Sequence, residues 1–244
     1  MKRILSVPLL ILHHLLFGSL LCVFHPIQWF THRCIGYAAH KKAVDTLNLL
    51  LFGALRIIGM RCSFKKNYEI PEGTPLIFVS NHQSKYEIAL VSWYLRKYHI
   101  KFVSKIELGS GIPSISYNLK YGGSALIDRF NPRQSFPALV KLGKAIEQNN
   151  WSAFIFPEGT RAKDGVMRRF SPNGIKILAK NAPSSYLVPV TINNSWKLER
   201  FGSLFLDLGV RVSIETHKPI KVNSQDPELL LKNCEQAVKN SLTL

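Results

Sequence analysis

Two clusters of polar residues interrupt apolar runs in this 244-residue chain, and both hold side chains suited to chemistry. In the first, Asn81-His82-Gln83-Ser84-Lys85-Tyr86-Glu87 follows the apolar run Leu76-Ile77-Phe78-Val79-Ser80. Inside one helix His82 and Glu87 would stand about 140° apart around the axis and could not meet. With His82 on a loop and Glu87 in the first turn of the next helix, the carboxylate reaches back to the imidazole. That pair is a base with its orienting group, the half of a catalytic triad that activates a nucleophile. If the attacking hydroxyl belongs to a substrate, the histidine takes its proton directly and no third group is needed. Ser84-x-x-Glu87 equally matches a capping box, in which the carboxylate only satisfies backbone donors at a helix start.

The second cluster is Phe154-Ile155-Phe156-Pro157-Glu158-Gly159-Thr160-Arg161. An apolar strand ends here in a Pro-Glu-Gly turn that presents Thr160 and Arg161. Gly159 permits an unusual backbone angle, and Arg161 offers a planar fork matched to phosphate oxygens. The tripeptide alone is an ordinary turn signal; the hexapeptide Phe156–Arg161 is far more specific.

Both clusters need a frame. From residue 62 onward short β-rich runs alternate with helical ones. Strands are expected at 76–80, 101–104, 125–127, 151–156, 185–192 and 210–215, and helices at 88–97, 135–148, 174–180 and 227–242. This alternation predicts an α/β domain, a layered αβα arrangement around a mixed, largely buried sheet, over residues 61–244. Ligands in such folds gather where strands end and lead into helices. Residues 1–60 read differently. After Lys2 and Arg3, Ile4–Phe24 holds no charge beyond two histidines, and Leu47–Met60 is a second apolar stretch. A spanning hairpin would put the linker cations Arg33, Lys41 and Lys42 on the translocated side, against the positive-inside rule. A helical pair sunk in one leaflet keeps them at a single headgroup surface, so a monotopic membrane anchor is favoured over a single span.

Composition narrows the partners. The net charge of +17 lies in the first 200 residues, since 201–244 carry five basic and five acidic side chains. Such a bias points to a membrane surface or a phosphorylated substrate. Nucleic acid is not expected, for the cations are scattered and no recognition module is visible. Cys22, Cys34, Cys62 and Cys234 show neither CxxC nor metal-ligand spacing, so reduced thiols on the cytosolic side are expected, with no metal site. His25, His32, His40, His99 and His217 have no carboxylate at useful spacing and read as interfacial or surface residues.

His82–Glu87 with Phe156–Arg161 resembles the glycerolipid acyltransferase superfamily, and most of all its 1-acylglycerol-3-phosphate acyltransferases. That family carries NHxSxxD, sometimes with Glu for Asp, and later FPEGTR. Gly123–Arg129 is similar to its G-x-x-F-I-D-R, Lys105–Leu108 to its K-x-E-L, and Val188–Ile192 to its last, Pro-centred block. The resemblance covers residues 60–215, and the N-terminal pair also resembles the family's anchor. Leu126 stands in place of Phe and Glu87 in place of Asp. Phe170–Gly174 lacks a lysine that many members have, which leaves open which cations complete the phosphate site.

The resemblance implies a mechanism. His82 would deprotonate the sn-2 hydroxyl of lysophosphatidic acid, with Glu87 fixing the imidazole. The alkoxide would attack the thioester of acyl-carrier protein or acyl-coenzyme A, giving phosphatidic acid without an acyl-enzyme, metal or cofactor. Arg161, Arg129 and Lys105 would hold the acceptor's phosphate, and Glu158, Gly159 and Thr160 would shape its site. The implied location is the cytoplasmic side of a bacterial inner membrane. Alternatives are another lysophospholipid or a lyso-ornithine lipid as acceptor, or an inactive lipid-binding relative.

Overall fold

The computed structural model describes residues 2–224 and 226–243, with side chains from residue 7 onward. Met1 and the side chains of Lys2 and Arg3 lie outside the described residues. Two helices open the chain: α1 (Lys2–Phe30) and α2 (Tyr37–Ile57). The expected basic linker is mostly helical too. A π-turn over Thr31–Ile35 continues α1, and the break falls at Gly36, whose φ of 119° lies in a region that favours glycine. α1 lies lengthwise on the rest of the protein. His13 Nδ1 donates to the Ala54 carbonyl at 2.9 Å, Ser114 Oγ donates to the Leu21 carbonyl at 2.6 Å, and His32 meets the Tyr117 hydroxyl at 3.0 Å. α2 turns Leu47, Leu51, Phe52 and Leu55 inward at helical spacing.

The remaining elements are β1 (Arg61–Lys66), β2 (Leu76–Ser80), α3 (Glu87–Tyr94), β3 (Ile100–Lys105), α4 (Ile115–Tyr121), β4 (Ala125–Ile127) and α5 (Pro132–Asn149). They continue with β5 (Ser152–Ile155), α6 (Pro172–Asn181), β6 (Tyr186–Asn193), β7 (Arg211–Thr216), β8 (Ile220–Lys221) and α7 (Pro227–Asn240). Local chemistry sets several starts. Pro132, Pro172 and Pro227 occupy first-turn positions, where a missing N–H costs nothing. Asn131 and Asp226 accept from the backbone N–H groups of α5 and α7.

The described strands form one sheet in the order β1-β7-β6-β2-β5-β3-β4, with β8 also on β6. Pairing is parallel throughout except that β6 meets β7 and β8 antiparallel, so the sheet is mixed, as the alternation predicts. Successive residues face opposite layers. Phe78, Phe154, Val188 and Val190 pack with α2 and α3 residues such as Leu55 and Leu90. Ile77, Val79, Ala153 and Leu187 pack with Leu142 and Ile146 of α5, Leu178 of α6 and Cys234 of α7. Burying each large apolar side chain here contributes about 1.5–3 kcal/mol. Because α2 covers one face, the helical pair belongs to the same core as the sheet.

One polar group is enclosed where α2 meets the sheet. Lys101 of β3 is only 4% exposed, with its ammonium 4.6 Å from the Tyr37 ring and 4.3 Å from the Trp151 ring. It donates to the Tyr37 hydroxyl at 3.0 Å and the Gly122 carbonyl at 2.7 Å. Burial, helped by the charge of Lys41 and opposed by Asp45, pulls its pKa from 10.5 down to about 7. Below that value Lys101 is charged in both folded and unfolded chains. Above it the folded chain releases a proton that the unfolded chain keeps until about 10.5, so stability rises with pH across this window. The melting temperature of the wild type, measured against Lys101→Met, should climb over that interval. A difference independent of pH would contradict the assignment.

Candidate active site

Parallel neighbours β2, β5, β3 and β4 all end on one edge of the sheet, and each delivers residues from the two clusters or their companions. The loop after β2 carries His82, the turn after β5 carries Glu158–Arg161, Lys105 ends β3, and Arg129 follows β4. Pairing of Lys105 with Ile127 sets the β3 and β4 ends side by side.

His82 Nδ1 lies 2.6 Å from Oε2 of Glu87, which is fully buried. Facing a carboxylate, that nitrogen carries the proton, so Nε2 is left as the basic atom. Among the described residues Nε2 makes no hydrogen bond, and the side chain is 15% exposed. The imidazole stacks on Phe156 with ring centroids 4.0 Å apart. The other oxygen of Glu87 accepts from the N–H groups of Gln83 at 2.8 Å and Ser84 at 3.0 Å, and from the Ser195 hydroxyl. The two oxygens of Glu87 are thus divided, one facing the imidazole and the other the N–H groups before α3; the reciprocal Ser84 bond of a full capping box is not made, because the Ser84 hydroxyl goes to Glu199.

The two clusters are tied together through the backbone. Glu158 accepts from the His82 N–H at 2.6 Å and from the Arg168 N–H at 2.8 Å, while the His82 carbonyl accepts from the Ala162 N–H at 2.7 Å. Burial raises the Glu158 pKa, the nearby Glu87 charge adds to this, and the two backbone donors oppose it. Glu158 thus holds two loops in register. Gly159 has a φ of 72°, the left-handed conformation its turn requires, and Thr160 is exposed.

Arg161 meets Glu199 at 3.3 Å. Glu199 also accepts from the Ser84 hydroxyl at 2.7 Å and the Lys85 N–H at 3.1 Å. Burial pushes its pKa upward, but these donors with the Lys85 and Arg161 charges outweigh burial and hold it below the usual range. Lys105 and Arg129 are exposed at the strand ends. Glu199 and Ser195, on the short helix after β6, have no counterpart in the sequence reading; no local pattern links them to either cluster.

Among the described residues no three His, Cys, Asp or Glu side chains gather as a metal site. Burial pushes the Cys62 thiol up to about 12 and that of Cys234 higher, which keeps both protonated. His40 is not a surface residue as its sequence context suggests. It is buried and bonded to the Gln28 carbonyl and to Asn118, because α2 folds that side inward. His217 is half-buried against Thr191.

This layered architecture is similar to the crystal structure of the 1-acyl-sn-glycerophosphate (LPA) acyltransferase PlsC from Thermotoga maritima. The match has a TM-score of 0.81 and 20% identity, covering 98% of this chain and 95% of that one. The Acyltransferase family profile matches residues 61–193, more than half of the sequence, and the chain belongs to that family. The 1-acyl-sn-glycerol-3-phosphate acyltransferase BAT2, chloroplastic, of Brassica napus is 31% identical over 171 residues, covering 70% of this chain and 47% of the relative. The 1-acyl-sn-glycerol-3-phosphate acyltransferase of Helicobacter pylori is 36% identical over 135 residues, covering 51% and 54%. The chain spans about half the length of these curated relatives.

Proposed function

We propose that this protein transfers a fatty acyl group from an acyl thioester to the sn-2 hydroxyl of lysophosphatidic acid, forming phosphatidic acid. The observation that carries the reading is the His82–Glu87 pair with Nε2 unengaged. Nε2 takes the hydroxyl proton as the oxygen attacks the thioester carbonyl, and Glu87 supports the imidazolium that forms. The tetrahedral intermediate collapses, expels the thiolate of acyl-carrier protein or coenzyme A, and His82 returns the proton to sulfur. No enzyme nucleophile, metal or cofactor enters this scheme. A small, mainly apolar cavity beside Tyr86, lined by Phe17, Leu47, Leu51, Ile115 and Leu119 together with Asn48, Ser114 and Asn118, has room for only part of an acyl chain.

Arg161, Lys105 and Arg129 supply positive charge for the acceptor phosphate, while Glu158, Gly159 and Thr160 shape the turn that presents Arg161. In the free protein Arg161 rests on Glu199, and a phosphate dianion competes for the same fork. Arg161→Lys keeps the charge and loses the fork. It should raise the acceptor KM about tenfold, in line with the ~1.5–3 kcal/mol of a charge-assisted hydrogen bond, and change the thioester KM less. A rise in the thioester KM alone would move Arg161 to the donor site.

Residues 1–60 act as a monotopic anchor for the 61–244 domain on the cytoplasmic side of the membrane, with α1 as the lipid-facing helix, since Leu47, Leu51, Phe52 and Leu55 of α2 face the protein core rather than the leaflet. Val7–Ile35 is apolar and long enough to cross a bilayer, yet only 22% of its apolar window is buried in the protein, and its contacts run from His13 to His32 along the domain. A span would have to break them, whereas a helix lying in one leaflet keeps them. The decisive experiment offers purified protein each lysolipid with each thioester and identifies products by mass spectrometry. Phosphatidic acid formed from lysophosphatidic acid supports the proposal; product from a lyso-ornithine lipid alone would replace it.

A further inference from the structure

A loop outside the motifs presents bulky apolar side chains directly beside α1. It leaves the short helix that holds Glu199 and returns at once: the Asp207 N–H donates to the Leu198 carbonyl at 3.0 Å, and Arg200 pairs with Asp207 at 2.6 Å. Leu206 is 3% exposed and roots the loop in the core, while its neighbours Leu204 and Phe205 are 71% and 63% exposed. A root this well pinned does not need those two side chains for its own fold. Their position is fixed against the anchor, because His14 of α1 donates from Nε2 to the Leu204 carbonyl at 3.0 Å. On the same stretch of α1, Ile11 and Leu15 are themselves exposed.

We propose that the 201–208 loop is a second bilayer-inserting element, continuous with the outer face of α1, and that its partner is an anionic phospholipid surface. Two observations select lipid over a protein surface. The loop tip extends an apolar helix face already long enough for a membrane. Around its root, among the described residues, the cations Lys85, Arg161, Lys197 and Arg200 outnumber the carboxylates Glu199, Asp207 and the buried Glu87, an excess that suits anionic headgroups. With tip and α1 seated together, the Glu199–Arg161 end of the site stands at headgroup level. An acceptor lipid then reaches Arg161 by lateral diffusion without leaving the leaflet. This inference rests on the membrane-anchor reading above.

The test uses the full chain with vesicles of phosphatidylethanolamine and phosphatidylglycerol. Phe205→Trp, compared with wild type by difference, should show blue-shifted emission and quenching by phospholipids brominated high on the acyl chain. Leu204→Asp with Phe205→Asp should weaken vesicle partitioning about tenfold. It should leave the melting temperature and the turnover of a micelle-dispersed lysolipid near wild type. Leu15→Asp on α1 separates the two ideas. If Leu15→Asp releases the protein and the loop variant does not, or if the indole of Phe205→Trp is not quenched, the loop proposal falls while the anchor stands. If neither variant alters partitioning, the membrane reading itself fails. Wild-type dimers in sedimentation that the loop variant abolishes, with no lipid quenching, would make the surface a contact between copies and overturn the proposal.

Discussion

His82→Ala should lower kcat at least a hundredfold while the protein stays folded and vesicle-bound. The size follows from removing a general base, an effect of about 10²–10⁴ in rate. The structural cost is smaller, because the imidazole is partly exposed and, although Glu87 Oε2 loses its partner, the other oxygen keeps its three donors. Two backbone bonds at this residue, to Glu158 and from Ala162, survive the substitution, so the loop keeps its shape. Steady-state rates at saturating acceptor and thioester, with circular dichroism as a folding control, decide the matter. Turnover within a few-fold of wild type would remove His82 from the chemistry and leave the apolar cavity and the cations as a lipid-binding surface.

Glu87→Gln should be nearly as damaging to rate, and the reason is the direction of one hydrogen bond. Glu87 divides its oxygens between the donors Gln83 N–H, Ser84 N–H and Ser195 on one side and His82 Nδ1 on the other. A glutamine keeps the first set by turning its carbonyl oxygen toward them, which leaves its NH₂ facing Nδ1. The imidazole must then accept at Nδ1 and carry its proton on Nε2, the wrong tautomer for a base. We expect a loss of a hundredfold or more in kcat, with a melting temperature lower by a few degrees, about 1 kcal/mol. Were Glu87 only a helix cap, glutamine would serve as well and activity would persist. Activity equal to wild type therefore returns Glu87 to a purely structural role.

The fold is legible in the sequence wherever burial is two-sided. Leu76–Ser80, buried throughout, matches its expected span because a continuous apolar run has no alternative in a parallel sheet. Ala125–Ile127 matches as well, although it lies at the sheet edge with Leu126 and Ile127 only partly buried. β1 is hidden for the opposite reason. Arg-Cys-Ser-Phe-Lys-Lys sits at the sheet edge, and its exposed, charged pattern does not read as a strand until β7 lies beside it. α4 is hidden because seven residues with inward Tyr117 and Leu119 are too few to establish a period. In the site, the His82–Glu87 contact is readable from spacing, since both residues belong to one strand–loop–helix unit. Glu199 and Ser195 come from more than a hundred residues away, and only the β2–β6 pairing brings them to the same edge.

The pairing of β1 has a bearing on how the protein is made. β1 follows directly on the helical pair, yet the strand it needs, Arg211–Thr216, is among the last to be synthesised. Contacts so distant along the chain close slowly, because the loop entropy must be met before the pairing repays it. Leu55 and Phe52 of α2 likewise wait for β2 and α3 to cover them. During translation the apolar helices are thus complete and uncovered while the sheet that will hold them is still being built. A nascent chain in that state is aggregation-prone in water, and on the anchor reading proposed above a bilayer surface would shelter its apolar faces until the sheet is complete.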